Sequence, residues 1–174
     1  MKSILARAAI AAFCALSLSS CIDSAAPILT DAKPLLGERL NLQLYGVRNG
    51  FAVEPQRVNY RWTGSHYART RGDRSMQDFT VHPFEGGDLI VQTVPSKRAH
   101  KVEYAVLHPL MDGVYYVVAI DEADADQATR DANCAKSSDF SCRVATRDQI
   151  FALARATAAR RNDNGGLAIR LRAR

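Results

Sequence analysis

Two histidines stand in matching surroundings along this chain. Phe79–Val91 reads FTVHPFEGGDLIV and Ala105–Val117 reads AVLHPLMDGVYYV. In this internal repeat Val81-His82-Pro83-Phe84 aligns with Leu107-His108-Pro109-Leu110, and Gly87 aligns with Gly113. If the two copies lay side by side, His82 and His108 would be placed to share a metal ion or a proton. Such a centre needs a third ligand and partners that orient the imidazoles. Glu85, Asp88 and Asp112 are the carboxylates at hand. The plainer reading is that the proline after each histidine holds it extended. A metal-dependent or hydrolytic enzyme built on His82 and His108 is therefore an alternative, and no catalytic residue, metal ligand or cofactor is assigned.

Other candidate chemistry is weaker. Asp121, Glu122, Asp124 and Asp126 form an acidic run, but a calcium loop of the EF-hand type needs alternating oxygen ligands, then glycine, then a late glutamate. Ala128 falls where a ligand belongs and the glycine is missing, so a solvated helix face is expected. No G-x-S-x-G occurs; Ser65-His66 lacks a third member, and Ser137, Ser138 and Ser141 have no flanking catalytic signal. Arg71-Gly72-Asp73 is a tripeptide that some adhesins present, yet three residues match by chance and a solvated loop is expected. Basic residues gather at Arg69, Arg71 and Arg74, at Lys97, Arg98 and Lys101, and at the C-terminus, with Tyr67 and His100 near them. Such loops suit a polyanion, whether lipopolysaccharide or wall polymer.

The N-terminus carries the most specific signal. Lys2 and Arg7 precede the uncharged run Ala8–Leu18 (AAIAAFCALSL). That run falls short of the roughly twenty residues a spanning helix needs and suits the apolar region of an export signal. Leu18-Ser19-Ser20-Cys21 follows, which resembles the lipobox of bacterial lipoproteins. The resemblance covers the first 21 residues only. It implies a diacylglycerol on Cys21, cleavage before it, and acylation of the new amino terminus. Several acyl chains on one residue anchor durably, where a single chain does not. Ile22, rather than aspartate, comes after the cysteine, which in the sorting rule of such lipoproteins implies passage to the outer membrane, where the periplasmic side is the expected location; Asp23 lies one place further on. The competing reading is an ordinary cut after Ser24-Ala25-Ala26, which discards Cys21.

Removing the first 20 of 174 residues leaves 154, and removing Lys2 and Arg7 takes the formal charge from +5 to +3. That size suits one domain burying roughly 70% of its unfolded surface. The charge is mild, and export excludes nucleic acid as a partner. Cys134 and Cys142 remain as a pair in an oxidising compartment and are expected to form a disulfide. The short loop limits the stabilisation to about 2.5 kcal/mol in the chain-entropy model. Their spacing is not that of redox or zinc motifs.

The elements that must position these residues read as an α+β fold, mainly an antiparallel β-sheet or open barrel of about seven or eight strands with a C-terminal α-helix. Residues 1–20 form the signal and 21–37 a lipidated N-terminus and tether, whose second half is apolar enough to pack. Residues 38–174 form a single β-rich domain. Leu40, Leu42 and Leu44 alternate with Arg39, Asn41 and Gln43; Val58, Tyr60 and Trp62 alternate with Asn59 and Arg61. The repeat makes a four-stranded meander over 76–82, 88–94, 101–107 and 114–121. A short helix is expected at 122–133, a longer one at 147–161 behind the capping box Thr146-Arg147-Asp148-Gln149, and a last strand from Leu167. The function expected from these features is a non-catalytic, membrane-anchored cell-envelope lipoprotein that binds a partner or supports an assembly. The partner would be an envelope protein or an anionic glycan or lipid. No family resemblance extends to residues 22–174.

Overall fold

The computed structural model describes residues 22–48, 51–52, 55–71, 77–96, 100–136, 142–159 and 167–171, with the backbone alone for 46–48, 51–52, 136 and 167–171. Cys21, Arg74, Lys97, Arg98, the cystine-loop serines, and Gly72 and Asp73 of the RGD tripeptide lie outside the described residues, as do residues 1–20 and 172–174.

The described residues form twelve strands: β1 (Asp23–Ser24), β2 (Arg39–Arg48), β3 (Phe51–Ala52), β4 (Gln56–Trp62), β5 (Tyr67–Arg71), β6 (Phe79–Pro83), β7 (Leu89–Thr93), β8 (Val102–Met111), β9 (Val114–Ala119), β10 (Ala135–Lys136), β11 (Cys142–Arg143) and β12 (Leu167–Leu171). Two helices among the same residues, α1 (Gln127–Asn133) and α2 (Arg147–Ala159), fall between β9 and β12. Eight strands make an antiparallel meander, β2-β4-β5-β6-β7-β8-β9-β12, each paired with the next. β12 pairs back onto β2. The sheet coils into an open barrel rather than a sealed one, because β5 and β6 share a single register pair, Tyr67 opposite Phe79. The fold class expected from the sequence is the one observed.

Alternation explains which side of each strand is buried. Leu40, Leu42, Leu44, Val58, Tyr60, Tyr67 and Val81 point inward and form one apolar cluster. The outer face of β6–β8 carries a second cluster. There Ile90, Val102, Tyr104 and Val106 meet Ile22, Leu29, Ile120 and Val144 and the α2 residues Ile150, Leu153 and Ala154. Strands β6–β8 are thus covered on both faces. The capping box forms as expected: Gln149 N donates to Thr146 Oγ1 (3.3 Å), and Thr146 N donates back to Gln149 Oε1 (3.1 Å).

Residues 22–37, read as a tether, lie along the domain. Ile22 is fully buried and Leu29 nearly so, while Leu35 is exposed, so the first half packs more tightly than the second. Sequence composition does not show this, because the cover is non-local. β1 lies between β8 and β11. Asp23 is held by Lys101 (2.9 Å) and Arg143 (3.5 Å). Two other boundaries differ. β8 runs through His108-Pro109 to Met111, with a register irregularity after Pro109, where a residue without an N–H is tolerated. The turn is instead Asp112-Gly113, with Gly113 at φ 65°. The stretch 122–133 splits into a 3-10 turn capped by Asp121 and helix α1 capped by Asp126, because each aspartate accepts from its own downstream N–H.

Candidate functional site

The repeat does not bring its histidines together. His82 lies opposite Ile90, which lies opposite Val106, so His108 sits diagonally across β7. Neither histidine belongs to a group of three or more ligand atoms close enough to hold a metal among the described residues. His82 is buried and bonds through Nε2 to Thr80 Oγ1 (2.8 Å). Burial, reinforced by Arg147, lowers its pKa to about 4, so it is neutral near pH 7. His108 bonds through Nδ1 to the Asp88 carboxylate. Glu85 is taken by Arg155, whose Nε and Nη2 reach both carboxylate oxygens (3.0, 3.0 and 2.6 Å). That guanidinium holds the Glu85 carboxyl below its usual range. The carboxylates near the repeat are thus split between partners.

His82 carries a measurable consequence. Its folded pKa lies below the unfolded value, so the unfolded chain takes up the proton first. Stability is therefore full above about pH 6.5 and falls by about 1.4 kcal/mol per pH unit toward pH 4. Between pH 7 and pH 5 the protein is expected to lose about 2 kcal/mol more than His82→Gln does. Urea unfolding of both proteins at the two pH values checks this; equal losses would refute it.

Cys134 and Cys142 form the expected disulfide, with Cα atoms 4.9 Å apart. It staples β10 to β11 directly after α1. Glu122 is the acid within ligand reach of the two sulfurs, and among the described residues this is the one group close enough to hold a metal. Sulfurs joined to each other are not thiolates, so the group offers no metal site.

A cleft of about 870 Å³ lies elsewhere, at the start of β2. Arg39, Asn41, Asn59, Arg61, Thr70 and Asp112 are among the residues that line it. The outward positions of the adjoining strands are strongly basic. Arg39 lies directly opposite Arg61, Asn41 opposite Asn59, and Gln43 opposite Arg57. A bulge in β5 extends the pattern. Tyr60 pairs with Arg69 but Asn59 pairs with Arg71, so Thr70 is an extra residue. An extra residue reverses the facing of the strand beyond it, and Arg71 joins Asn59 on the outer face. Thr70 Oγ1 donates to Asn59 O (3.2 Å) and holds the bulge.

No family model, curated protein or solved structure matches the chain. Arg39, Arg57, Arg61 and Arg71 are exposed. Among the described residues, none of these four side chains has a hydrogen-bond or ion-pair partner. Elsewhere Arg130, Arg143, Arg147 and Arg155 each engage a neighbour. Of the basic residues singled out in the sequence, Arg71 ends β5 on this face, and Lys101 holds Asp23. The sheet face was legible as the wet half of two alternating strands, but its junction with Arg71 depends on the bulge.

Proposed function

We propose that this protein is a lipid-anchored, non-catalytic binding module of the bacterial cell envelope, held in the outer membrane through Cys21 and facing the periplasm. The observation that carries this reading is the packing of Ile22, the residue after the cysteine, into the core. Ile22 is fully buried and its N–H donates to Ile120 O (3.1 Å). Ser24 Oγ shares a hydrogen bond with the buried Tyr104 hydroxyl (2.6 Å). A cut after Ala26 would remove β1, the Asp23 ion pairs and the Ile22 side chain, whose burial alone contributes about 1.5–3 kcal/mol. Cleavage before Cys21 leaves all of these in place. The disulfide is in keeping with an oxidising compartment. No helix among the described residues is long and apolar enough to cross a membrane. The exposed, unpartnered charge around the cleft supports a binding role, whereas each repeat histidine is committed to a neighbour.

Cells expressing the full chain and fed an alkyne-bearing palmitate test the reading. Wild type should incorporate the label and sediment with outer membranes, and Cys21→Ala should do neither. Unlabelled wild-type protein in the soluble periplasm would overturn it.

A further inference from the structure

The outer face of β2, β4 and β5 places four arginines where the fold gives them no use. Arg39 and Arg61 are direct cross-strand neighbours of like charge, an arrangement that destabilises a sheet. Among the described residues, no aspartate or glutamate stands at an outward register position opposite them, and Arg71 reaches this face through an extra residue in its strand. A guanidinium binds phosphate and carboxylate oxygens in a two-pronged fashion. Between the arginines, Asn41 and Asn59 offer amides of the kind that bind hydroxyls. Successive outward residues along a strand recur about every 7 Å, and strands about every 4.8 Å. We propose that this face and its cleft bind an extended anionic glycan, with arginines on its phosphate or carboxylate groups and asparagines on its sugar hydroxyls. Asp112, the carboxylate that shares the cleft, would set where the chain's charged groups are excluded.

The topology also gives the face a direction. β4, at its centre, lies four pairings from β8 whichever way the sheet is traced. β8 carries β1, and so the end of the chain next to Cys21. The face therefore points away from the anchor side of the barrel. Its ligand is a polymer in the aqueous space rather than the headgroups of the membrane that holds the protein. This direction rests on the Cys21 anchor proposed above; the glycan-binding face does not.

Detergent-solubilised mature protein titrated with inorganic polyphosphate, polygalacturonate, neutral dextran and phosphatidylglycerol vesicles tests the proposal. One or both anionic polymers should bind, with an affinity that falls as salt rises, and dextran should not. Binding to polyphosphate alone assigns phosphate; binding to polygalacturonate assigns carboxylate. Arg57→Glu should weaken binding about tenfold and Arg39→Glu with Arg57→Glu about a hundredfold, against less than about twofold for the exposed Lys33→Glu. Arg39→Glu should at the same time raise the Tm, because it replaces a repulsion opposite Arg61 with an attraction. A rise in Tm with loss of binding separates the face from a merely structural role. Binding of neither polymer, equal losses in Lys33→Glu, or arginine-dependent binding to the vesicles alone would overturn the proposal. Polymer binding by a protein that proves unlipidated would retain the face and remove the anchor; a lipidated protein that binds no polymer would do the reverse.

Discussion

Tyr67→Ala is expected to lower the free energy of unfolding by about 3–5 kcal/mol, the range for truncating a large aromatic in a core. For a domain of this size that lowers Tm by about 10 °C. Tyr67 is fully buried and sits at the weakest seam of the barrel, where the ladder supplies one register pair. Side chains do the rest. Tyr67 stacks on Phe79 with ring centres 5.1 Å apart, and Trp62 meets Tyr67 edge-on at 5.1 Å. Tyr60 packs edge-on against Phe79 at 4.8 Å and donates its hydroxyl to Gln77 O (3.1 Å). Burial raises the Tyr67 hydroxyl pKa, so it remains a neutral phenol that accepts from Leu36 N (3.1 Å). Tyr67→Phe removes that acceptor alone and should cost about 1–2 kcal/mol. Chemical denaturation of the two variants separates the terms, and hydrogen exchange should rise first in β5 and β6. A loss below about 2 kcal/mol for Tyr67→Ala would mean the seam is not held by this side chain.

The meander was legible because local rules agree with it. Leu40, Leu42 and Leu44 alternate with polar residues, and Gly113 has the positive φ its turn requires. Thr146 and Gln149 cap their helix reciprocally. The Cys134–Cys142 pairing came from compartment and count. What was not legible is cover supplied from a distance. Thr80, His82 and Gln92 occupy the polar half of their strands, which alone reads as a wet face. They are buried because residues 22–30 and α2 lie over them. The same cover turns His82 from a candidate ligand into a neutral core residue. The arginine face shows the opposite limit. Arg39 and Arg61 were visible as wet positions, but their cross-strand adjacency is a matter of register, and the facing of Arg71 depends on a single extra residue in β5.

Gln92→Leu is the second variant with a large expected effect, and it tests the cover directly. Gln92 is 1% exposed. Its Oε1 accepts from Ile28 N (3.0 Å) and Leu29 N (2.9 Å), and its Nε2 donates to Leu29 O (3.0 Å). One side chain therefore does for the N-terminal segment what a neighbouring strand would do. Leucine fills a similar volume but leaves two N–H groups and a carbonyl without partners. Each buried orphan costs about 1–3 kcal/mol, and the segment escapes the full sum by detaching. The expected loss is about 3–5 kcal/mol, with hydrogen exchange and proteolysis rising over residues 22–34 ahead of β7 and β8. A variant within about 1 kcal/mol of wild type, with the segment still protected, would show that apolar contacts of Ile22 and Leu29 suffice. The segment also sets how an anchor on Cys21 would act. Docked, it would hold a lipid on Cys21 near the β8 side of the barrel. Released, residues 22–37 become a leash that spans up to roughly 50 Å, and the arginine face loses its fixed direction. Gln92→Leu should accordingly leave polymer binding by the solubilised protein unchanged. In membranes the same variant should sit further from the bilayer surface, as energy transfer from a labelled lipid to Trp62 analogues on the far strands would report.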